Sequence, residues 1–164
     1  MNAPLETPRL RAASKRDAAT ALAWTPEPDA LRMWSGPSTR VPATVDSLWE
    51  DITSTDAHTY AFESATHGLV GFGQVRLKEG NYGHLARVIV WPRHRGQGLG
   101  RAWCAALMRE AVRAHGVEAF SLYVYPDNHR AIALYHTLGF TACGMHEKFN
   151  CVLMRAPLSA LALG

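Results

Sequence analysis

The residues whose types and spacing could do chemistry are concentrated between positions 93 and 101. Basic side chains and three glycines stand there directly before a helix-forming run, in the order Arg93-His94-Arg95-Gly96-Gln97-Gly98-Leu99-Gly100-Arg101. Glycines let the backbone turn sharply and approach a ligand closely. The N-terminus of a helix adds unpaired N–H groups and about half a positive charge. The segment therefore predicts a phosphate or pyrophosphate site, with Arg95 and Arg101 as its cations.

Two common phosphate-binding loops do not match this segment. The dinucleotide fingerprint G-x-G-x-x-G would need a third glycine at position 101, which is Arg101. A Walker A loop ends in Gly-Lys-Ser or Gly-Lys-Thr, and no such sequence follows these glycines. A turn that only joins a strand to a helix is the structural alternative. The coincidence of basic residues, glycines and a helix start favours anion binding over it.

Two motifs around this segment resemble those of the GCN5-related N-acetyltransferases, the GNAT superfamily. Residues 95–100 match R/Q-x-x-G-x-G/A, and Val90-Trp91-Pro92 before them is similar to the family's V-x-P strand end. Residues 128–140, NHRAIALYHTLGF, resemble its second motif, N-x-x-A-x-x-L-Y-x-x-x-G-F. Both motifs occur in the family's order and spacing, and the resemblance covers residues 69–143. Residues 1–60 match only a looser pattern of one strand and two helices.

The resemblance implies acetyl-CoA as the acetyl donor. The amides of residues 95–100 would hold its pyrophosphate, and Asn128 would hydrogen-bond it, a role compatible with a helix N-cap. The backbone of Ile89 and Val90 would bond the pantetheine amides and polarise the thioester carbonyl. The implied binding residues are Ile89, Val90, Arg95, Gly96, Gln97, Gly98, Leu99, Gly100, Arg101 and Asn128.

Tyr135 is the candidate general acid. It lies seven residues after Asn128, two helical turns, so both side chains can face the donor. It falls on the tyrosine of the family's second motif, whose implied role is to protonate the leaving thiolate. A phenol of pKa about 10 is close enough to a thiol of about 8.5 for useful transfer. A tyrosine packed with its hydroxyl bonded elsewhere is the structural alternative.

No carboxylate stands where many family members place a base. The two relevant strands read HLARV at 84–88 and SLYVY at 121–125. Period-two counting puts His84 on the same strand face as Val88 and Val90, and an imidazole pKa of about 6.5 suits a base. A surface histidine is the alternative for His84, and deprotonation through ordered water is equally compatible. The weaker candidates are Glu63, Tyr123 and Tyr125.

The acceptor implied by the resemblance is a primary amine of a small molecule or peptide. Its pocket would be built by residues 29–42, with Trp34 and Ser35 as candidate contacts. Asp29 could orient a cationic amine or cap its helix. Tyr123 stands where ribosomal-protein N-terminal acetyltransferases have a glutamate, which disfavours a protein amine. The alternative hypotheses are an acyl-CoA-binding module with little catalysis and a nucleic-acid-binding domain that uses Arg93–Arg95.

The elements that must position these residues follow from periodicity and caps. A strand at 9–13 precedes three short helices, with Ser14 and either Thr44 or Asp46 as caps. The later elements are strands 58–63, 69–78 and 84–91, helix 98–115, strand 119–125, helix 128–138, and strands 140–144 and 151–155. The predicted class is α/β of the α+β type, a single-domain GNAT fold. Its mixed, mostly antiparallel sheet would contain a splayed parallel strand pair and be flanked by helices.

Composition narrows the remaining function classes. The 164 residues, 48% of them hydrophobic and with a formal charge of +3, predict one domain, 1–164, with acceptor-site elements in 1–60 and the acetyl-CoA core in 69–143. The pI of about 8.9 lies below the pI of about 9 above which a domain is typical of nucleic-acid binding. No apolar run approaches a membrane span. Three cysteines without a C-x-x-C pair predict reduced thiols and a cytoplasmic protein.

The remaining expectations concern metals, leaders and assembly. The sequence has no H-E-x-x-H motif, and His129 and His136 are seven residues apart, so we expect no metal. Residues 1–16 lack the apolar region of a signal peptide. The apolar tail at 157–164, PLSALALG, could contribute to a homodimer.

Overall fold

Seven strands form one mixed sheet, in the order β1-β2-β3-β4-β5-β7-β6, in the computed structural model, which describes residues 6–162. The strands are β1 (Arg9–Ala12), β2 (His58–Ser64), β3 (Gly68–Lys78), β4 (Tyr82–Val90), β5 (Ala119–Val124), β6 (Thr141–His146) and β7 (Cys151–Pro157). The helices are α1 (Lys15–Ala23), α2 (Pro28–Ser35), α3 (Val45–Thr53), α4 (Leu99–His115) and α5 (His129–Leu138). The pair β4–β5 is parallel and the other pairs are antiparallel. The predicted fold class is therefore confirmed.

Helices α1 and α3 begin where their capping residues predict. Ser14 and Asp17 form a reciprocal capping box at the start of α1. Thr44, not Asp46, caps α3, because its hydroxyl accepts from Ser47 N at 3.0 Å while Thr44 N donates to the Ser47 hydroxyl at 2.9 Å. These short helices therefore have defined starts that hold them across one face of the sheet.

The sheet buries a core on each of its faces. Helices α4 and α5 cover one face, and their core includes Trp103, Leu107, Met108, Phe120, Leu122 and Leu138. The N-terminal helices cover the other face, and their core includes Trp34, Leu48, Ile52, Phe72 and Ile89. Most of the fold's stability comes from these two apolar layers. The site described below lies where the second layer ends.

Strand β4 contains a bulge that sequence periodicity did not predict. Phe72 of β3 pairs with Ile89, and Gln74 pairs with Ala86, so Gly73 alone faces residues 87 and 88. Arg87 takes a left-handed φ of 48° there, a conformation rare for a side chain of this size. An extra residue in one strand moves the side chain of every later residue of that strand to the opposite face of the sheet.

The bulge makes one sequence-based prediction wrong. Val88 and Val90 pack against the α4 core, as does Leu85 before the bulge. His84 instead bonds Ser121, whose β5 neighbours Phe120 and Leu122 face α4 and leave Ser121 on the opposite side. His84 therefore does not share a strand face with Val88 and Val90. Its side chain lies on the face of the N-terminal helices.

The parallel strands β4 and β5 separate after a short ladder. Their pairing runs from Tyr82 with Ala119 to Leu85 with Leu122. Strand β4 then continues to Val90 and β5 to Val124 without further pairing between them. The predicted splayed pair is thus present. The gap that it opens runs toward the N-terminus of α4.

Candidate active site

One cleft of about 480 Å³ collects residues from both halves of the chain. Its wall is built by the loop after α2, the bulged part of β4, the end of β5 and the first turns of α5. The wall includes the residues predicted from sequence as acid, first base candidate, donor contact and acceptor contacts: Trp34, Ser35, His84, Asn128 and Tyr135. The structure thus brings the proposed acid, base and acceptor residues to one place.

The glycine-rich segment forms an open turn beyond the end of β4. Gly96 and Gly98 have φ of 77° and 81°, and a Cβ added to either would meet nothing within 4 Å. The first hydrogen bond of α4 runs from Ala102 N to Gly98 O at 3.1 Å. The N–H groups before it have no helical acceptor. Their exposure and the helix dipole make this turn fit for a pyrophosphate.

Two arginines approach the turn from different elements. Burial, together with the nearby charge of Arg130, lowers the pKa of the Arg95 guanidinium. Arg101 instead donates to Thr137 O at 3.0 Å and to Ala162 O at 3.3 Å. Arg130, on the first turn of α5, is therefore the second guanidinium beside Arg95. Sequence reasoning missed it because only the packing of α5 on α4 brings it there.

The other implied binding residues border the gap or the turn. Ile89 and Val90 pair with β3 on one side, and their other backbone edge faces the space between β4 and β5. Leu99 contributes its side chain to the core, which leaves only its backbone for a ligand. Gln97 Oε1 lies 3.4 Å from His94 Nδ1. Asn128 Oδ1 accepts from the backbone of the next helical turn at 3.3 Å, so the N-cap role is present.

A close helix contact explains the third glycine of the segment. A Cβ on Gly100 would lie 3.3 Å from Leu134 Cδ2. The absence of a side chain therefore lets α4 and α5 approach each other. This approach also brings the start of α5, with Asn128, near the end of the β4–β5 gap.

Tyr135 is buried but borders the cleft. Its side chain is 9% exposed, and its ring meets Phe140 edge-on at 5.8 Å. Burial raises the pKa of the phenol above its usual range, because the phenolate would be poorly solvated. Within residues 6–162 its hydroxyl has no hydrogen-bond partner. The hydroxyl is therefore not held by a hydrogen bond elsewhere, as a purely structural tyrosine would be. It keeps its proton at neutral pH.

His84 is buried rather than a surface residue. Its Nδ1 lies 2.8 Å from Ser121 Oγ, and its ring lies 5.1 Å from that of Tyr123. Burial, with the charges of Lys78 and Arg76, lowers its pKa to about 4. Its imidazole is therefore neutral at neutral pH and a weak proton acceptor.

The weaker base candidates are divided between two regions. Glu63 bonds Arg11 at 3.1 Å in a separate groove and is not part of the cleft wall. Tyr123 and Tyr125 do line the cleft. The guanidinium of Arg32 lies over the Tyr125 ring, 4.4 Å from its centroid.

A family model described as the Acetyltransferase (GNAT) family matches residues 21–140. The chain belongs to this family. The identification made from the two sequence motifs is therefore confirmed. The match extends from α1 to the residue that precedes β6, and so includes both motifs and most of the cleft wall.

Curated relatives of this GNAT chain share only part of their length with it. Mycothiol acetyltransferase of Beutenbergia cavernae is 35% identical over 76 residues, 46% of this chain and 25% of that protein. The enzyme of the same name from Thermobispora bispora is 39% identical over 79 residues, 44% and 26% of the two chains. The match thus spans about a quarter of these relatives.

Solved structures share the GNAT fold over nearly the whole chain. Spermidine N-acetyltransferase from Vibrio cholerae, in complex with CoA and spermine, has a TM-score of 0.76 at 19% identity, and the match covers 94% of this chain and 97% of that one. AAC(6')-Ib, in complex with ribostamycin and coenzyme A, has a TM-score of 0.75 at 18% identity, with coverage of 94% and 96%. At such identities the likeness concerns the fold.

Trp34 and Ser35 of this GNAT chain border the cleft but also hold its wall together. Trp34 Nε1 donates to Arg87 O at 2.8 Å, and its ring meets Phe72 edge-on at 6.0 Å. Ser35 Oγ donates to Leu31 O at 2.7 Å. The Trp34 bond joins α2 to the β4 bulge. These contacts fix the wall against which an acceptor would lie.

Replacing Trp34 by phenylalanine is expected to lower the free energy of unfolding by about 2 kcal/mol, because the Arg87 carbonyl loses its donor in a part-buried bond. Urea unfolding would measure the change. Trp49→Phe is the matched control, since Trp49 is half-buried on α3 and its indole has no such bond. Equal losses in the two variants would contradict a specific role for the bond.

The low pKa of His84 predicts a loss of stability in acid. The folded pKa of about 4 lies below the unfolded value of 6.5, so the unfolded chain binds the proton first. Stability is fully present above pH 6.5 and falls between pH 6.5 and 4, by about 3 kcal/mol. Unfolding free energies at both ends of this window would measure it. His84→Gln should lack this part of the loss, and exposed His129→Gln should retain it.

Asp29 does not contribute a free carboxylate to the cleft. It bonds Arg32 at 2.9 Å, and the same guanidinium binds Asp127 at 2.8 Å. Neither carboxylate belongs to the cleft wall. The hypothesis that Asp29 orients a cationic amine therefore has no support from its position.

The remaining expectations concern metals, membranes and the tail. Among residues 6–162 no group of three His, Cys, Asp or Glu is placed to hold a metal ion, and no helix there is long and apolar enough to cross a membrane. Leu161 packs against the α4 core, and Ala162 N donates to Leu138 O at 3.1 Å. Residues 163 and 164 lie outside the described part, and the homodimer remains a prediction.

Proposed function

We propose that this protein is an N-acetyltransferase that moves the acetyl group of acetyl-CoA to a primary amine of a small molecule or peptide, by direct attack within a ternary complex. One observation carries the proposal. The β4–β5 gap joins an open glycine turn at the start of α4 to a cleft that Tyr135 and His84 both line. A long donor with a phosphate end and a reactive end fits such a path.

The donor's recognition would fall to the chain's own backbone and cations. The N–H groups around Gly96 and Gly98, with Arg95 and Arg130, suit the pyrophosphate because they combine open backbone with positive charge. The unpaired edge of Ile89 and Val90 suits the pantetheine amides. When bound, acetyl-CoA supplies a thioester whose acyl carbon an amine can attack.

Tyr135 would supply the proton that the leaving sulfur needs. The reaction forms the N–C bond of an amide and breaks the C–S bond, and the thiolate leaves with the proton of the phenol. Burial keeps Tyr135 protonated, and its hydroxyl is not used elsewhere in residues 6–162. The proton lost by the amine returns the phenolate to its neutral form through water.

The amine must lose its proton before it attacks. His84 is the base candidate inside the cleft, oriented by Ser121 at 2.8 Å. Its low pKa of about 4 makes it a weak acceptor of an ammonium proton. We therefore favour ordered water over His84 as the group that takes the proton from the amine and carries it out of the cleft.

The test is turnover of acetyl-CoA against a panel of amines, with thiol release followed and product masses measured. We expect one or more acetylated amines and an equal amount of free thiol. Binding of acetyl-CoA without product from any amine would favour a CoA-binding module with little catalysis. Absence of acetyl-CoA binding would overturn the proposal entirely.

A further inference from the structure

The acceptor end of the cleft has a positively charged wall. Arg76 and Lys78 of β3 and Arg87 of the bulge all line it. Asp51 is the one carboxylate among the described wall residues, and Arg40 already binds it at 2.9 Å. The wall that an acceptor would contact therefore carries more positive than negative charge.

These cations lack anionic partners in the part of the chain that the structure describes. Within residues 6–162 neither Arg76, Lys78 nor Arg87 forms an ion pair. Arg87 donates only to neutral oxygens, those of Gln74 at 2.8 Å and Thr39 at 3.1 Å. The Arg87 side chain is partly buried, and partial desolvation of an unpaired charge is costly. A ligand that supplies the missing anion would remove that cost.

Two buried nitrogen atoms on the wall also lack hydrogen-bond partners. They are Arg76 Nε and His146 Nδ1. His115 Nε2 is another solvent-shielded nitrogen without a partner in residues 6–162, and His115 is not on this wall. Native proteins leave few buried polar atoms unsatisfied, and each such atom calls for an explanation. The two unpaired nitrogens add to the uncompensated polar groups of the side chains that form this wall.

The cations are close enough to affect one another. Arg76 lies opposite His84 in the β3–β4 pairing. Its charge, after the larger effects of burial and Lys78, helps to lower the pKa of His84. Burial also lowers the pKa of Arg87, against the effect of Asp51 and together with that of Arg76. Like charges gathered at one place favour the binding of an anion.

This wall is separate from the proposed pyrophosphate turn. Arg76 faces His84 near the beginning of β4, whereas Gly96 and Gly98 follow its end at Val90. The six residue steps from His84 to Val90 span about 20 Å at the usual rise of a strand. The donor's pyrophosphate at the turn therefore would not neutralise Arg76.

We infer that the acceptor is a small amine that also carries an anionic group, a carboxylate or a phosphate, which Arg76 and Lys78 bind. This inference rests on the proposed acetyl transfer. The anion lies against β3 and directs the amine toward the β4–β5 gap. Spermine and ribostamycin, named with two structures of the same fold, are polycations, and this wall would repel them.

Matched pairs of acceptors test the inference. Glycine, γ-aminobutyrate and 6-aminohexanoate are compared with their carboxamides, and O-phosphoethanolamine is compared with ethanolamine. We expect at least one anionic member to exceed its neutral partner by about tenfold in kcat/KM, the usual strength of a charged hydrogen bond. Whether the carboxylates or the phosphate show the preference identifies the anion.

Arg76→Gln should remove the preference, because the anionic member loses a charged partner that the neutral member does not use. Arg113→Gln is the control of equal charge change, because Arg113 pairs with Glu110 on α4, away from the cleft. A purely structural role for Arg76 would lower both members of a pair equally and would overturn the inference.

The inference and the proposed function fail in different ways. Acetylation of neutral amines or of spermine with equal or greater efficiency would overturn the inference alone. Should no amine be acetylated, the same pairs are titrated calorimetrically into protein saturated with CoA. Tighter binding of the anionic members, lost in Arg76→Gln, would support the anion site, and equal binding would refute it.

Discussion

Replacing Gly98 by aspartate is expected to weaken acetyl-CoA binding about 100-fold. Gly98 is the N-cap of α4 and stands in the open turn proposed for the pyrophosphate. A carboxylate about 6 Å from a phosphate charge costs about 3 kcal/mol at an effective dielectric constant of 20. Calorimetric titration of acetyl-CoA would measure the change in Kd.

Gly116→Asp is a closely matched control for this prediction. Gly116 ends the same helix with a left-handed φ of 64°, against 81° for Gly98, and a Cβ at either position meets nothing within 4 Å. The two substitutions therefore impose similar backbone strain and the same change of charge. We expect Gly116→Asp to bind acetyl-CoA like the unmodified protein. If both variants lose affinity equally, strain rather than the phosphate site explains the loss.

The parts of the fold that were predicted correctly depend on local signals. Ser14 and Thr44 accept hydrogen bonds from residues three positions later, and such pairs can be found within a few letters of sequence. Gly116 and Gly139 end their helices with positive φ for the same local reason. The glycine turn before α4 is also a property of neighbouring residues. Local sequence therefore predicts the elements and the glycine turn before α4 well.

The β4 bulge could not be predicted from local sequence. Its extra residue is Arg87, which adopts a positive φ although glycine and asparagine are the usual residues there. Two distant contacts hold it. The backbone carbonyl accepts from Trp34, and the guanidinium reaches Gln74 and Thr39. Because tertiary bonds and not local propensity stabilise this conformation, strict alternation assigned His84 to the wrong face.

The charged groups of the cleft were missed for a related reason. Arg76 is on β3, His146 ends β6, and Arg130 is in the first turn of α5, and no spacing rule connects them. Strand order and helix packing bring Arg76 and His146 to one wall and Arg130 to Arg95. Asp29 was a candidate to orient a cationic amine or to cap its helix, and in the folded chain Arg32 binds its carboxylate. The sign of charge in an acceptor pocket is therefore a property of the folded chain.

Tyr135→Phe is expected to lower kcat for acetyl transfer by about 100-fold or more, the usual contribution of a general acid. Acetyl-CoA affinity should remain within about twofold, because phenylalanine keeps the ring that meets Phe140 and loses only the hydroxyl. The raised pKa of Tyr135 also predicts how kcat depends on pH. The phenol stays protonated as the pH rises to its usual pKa of about 10, so Tyr135 should produce no fall in kcat there.

Tyr60→Phe is the control that removes a tyrosine hydroxyl without removing the proposed general acid. Tyr60 is half-buried on β2 near Glu110 and is not part of the cleft wall, and burial raises its pKa as it does that of Tyr135. Its substitution should leave kcat unchanged. A Tyr135→Phe variant with normal kcat and normal acetyl-CoA affinity would mean that the thiolate leaves unprotonated or takes its proton from water. A fall in affinity with unchanged kcat would instead make Tyr135 a binding residue, since a proton donor acts on the transition state and not on the bound donor.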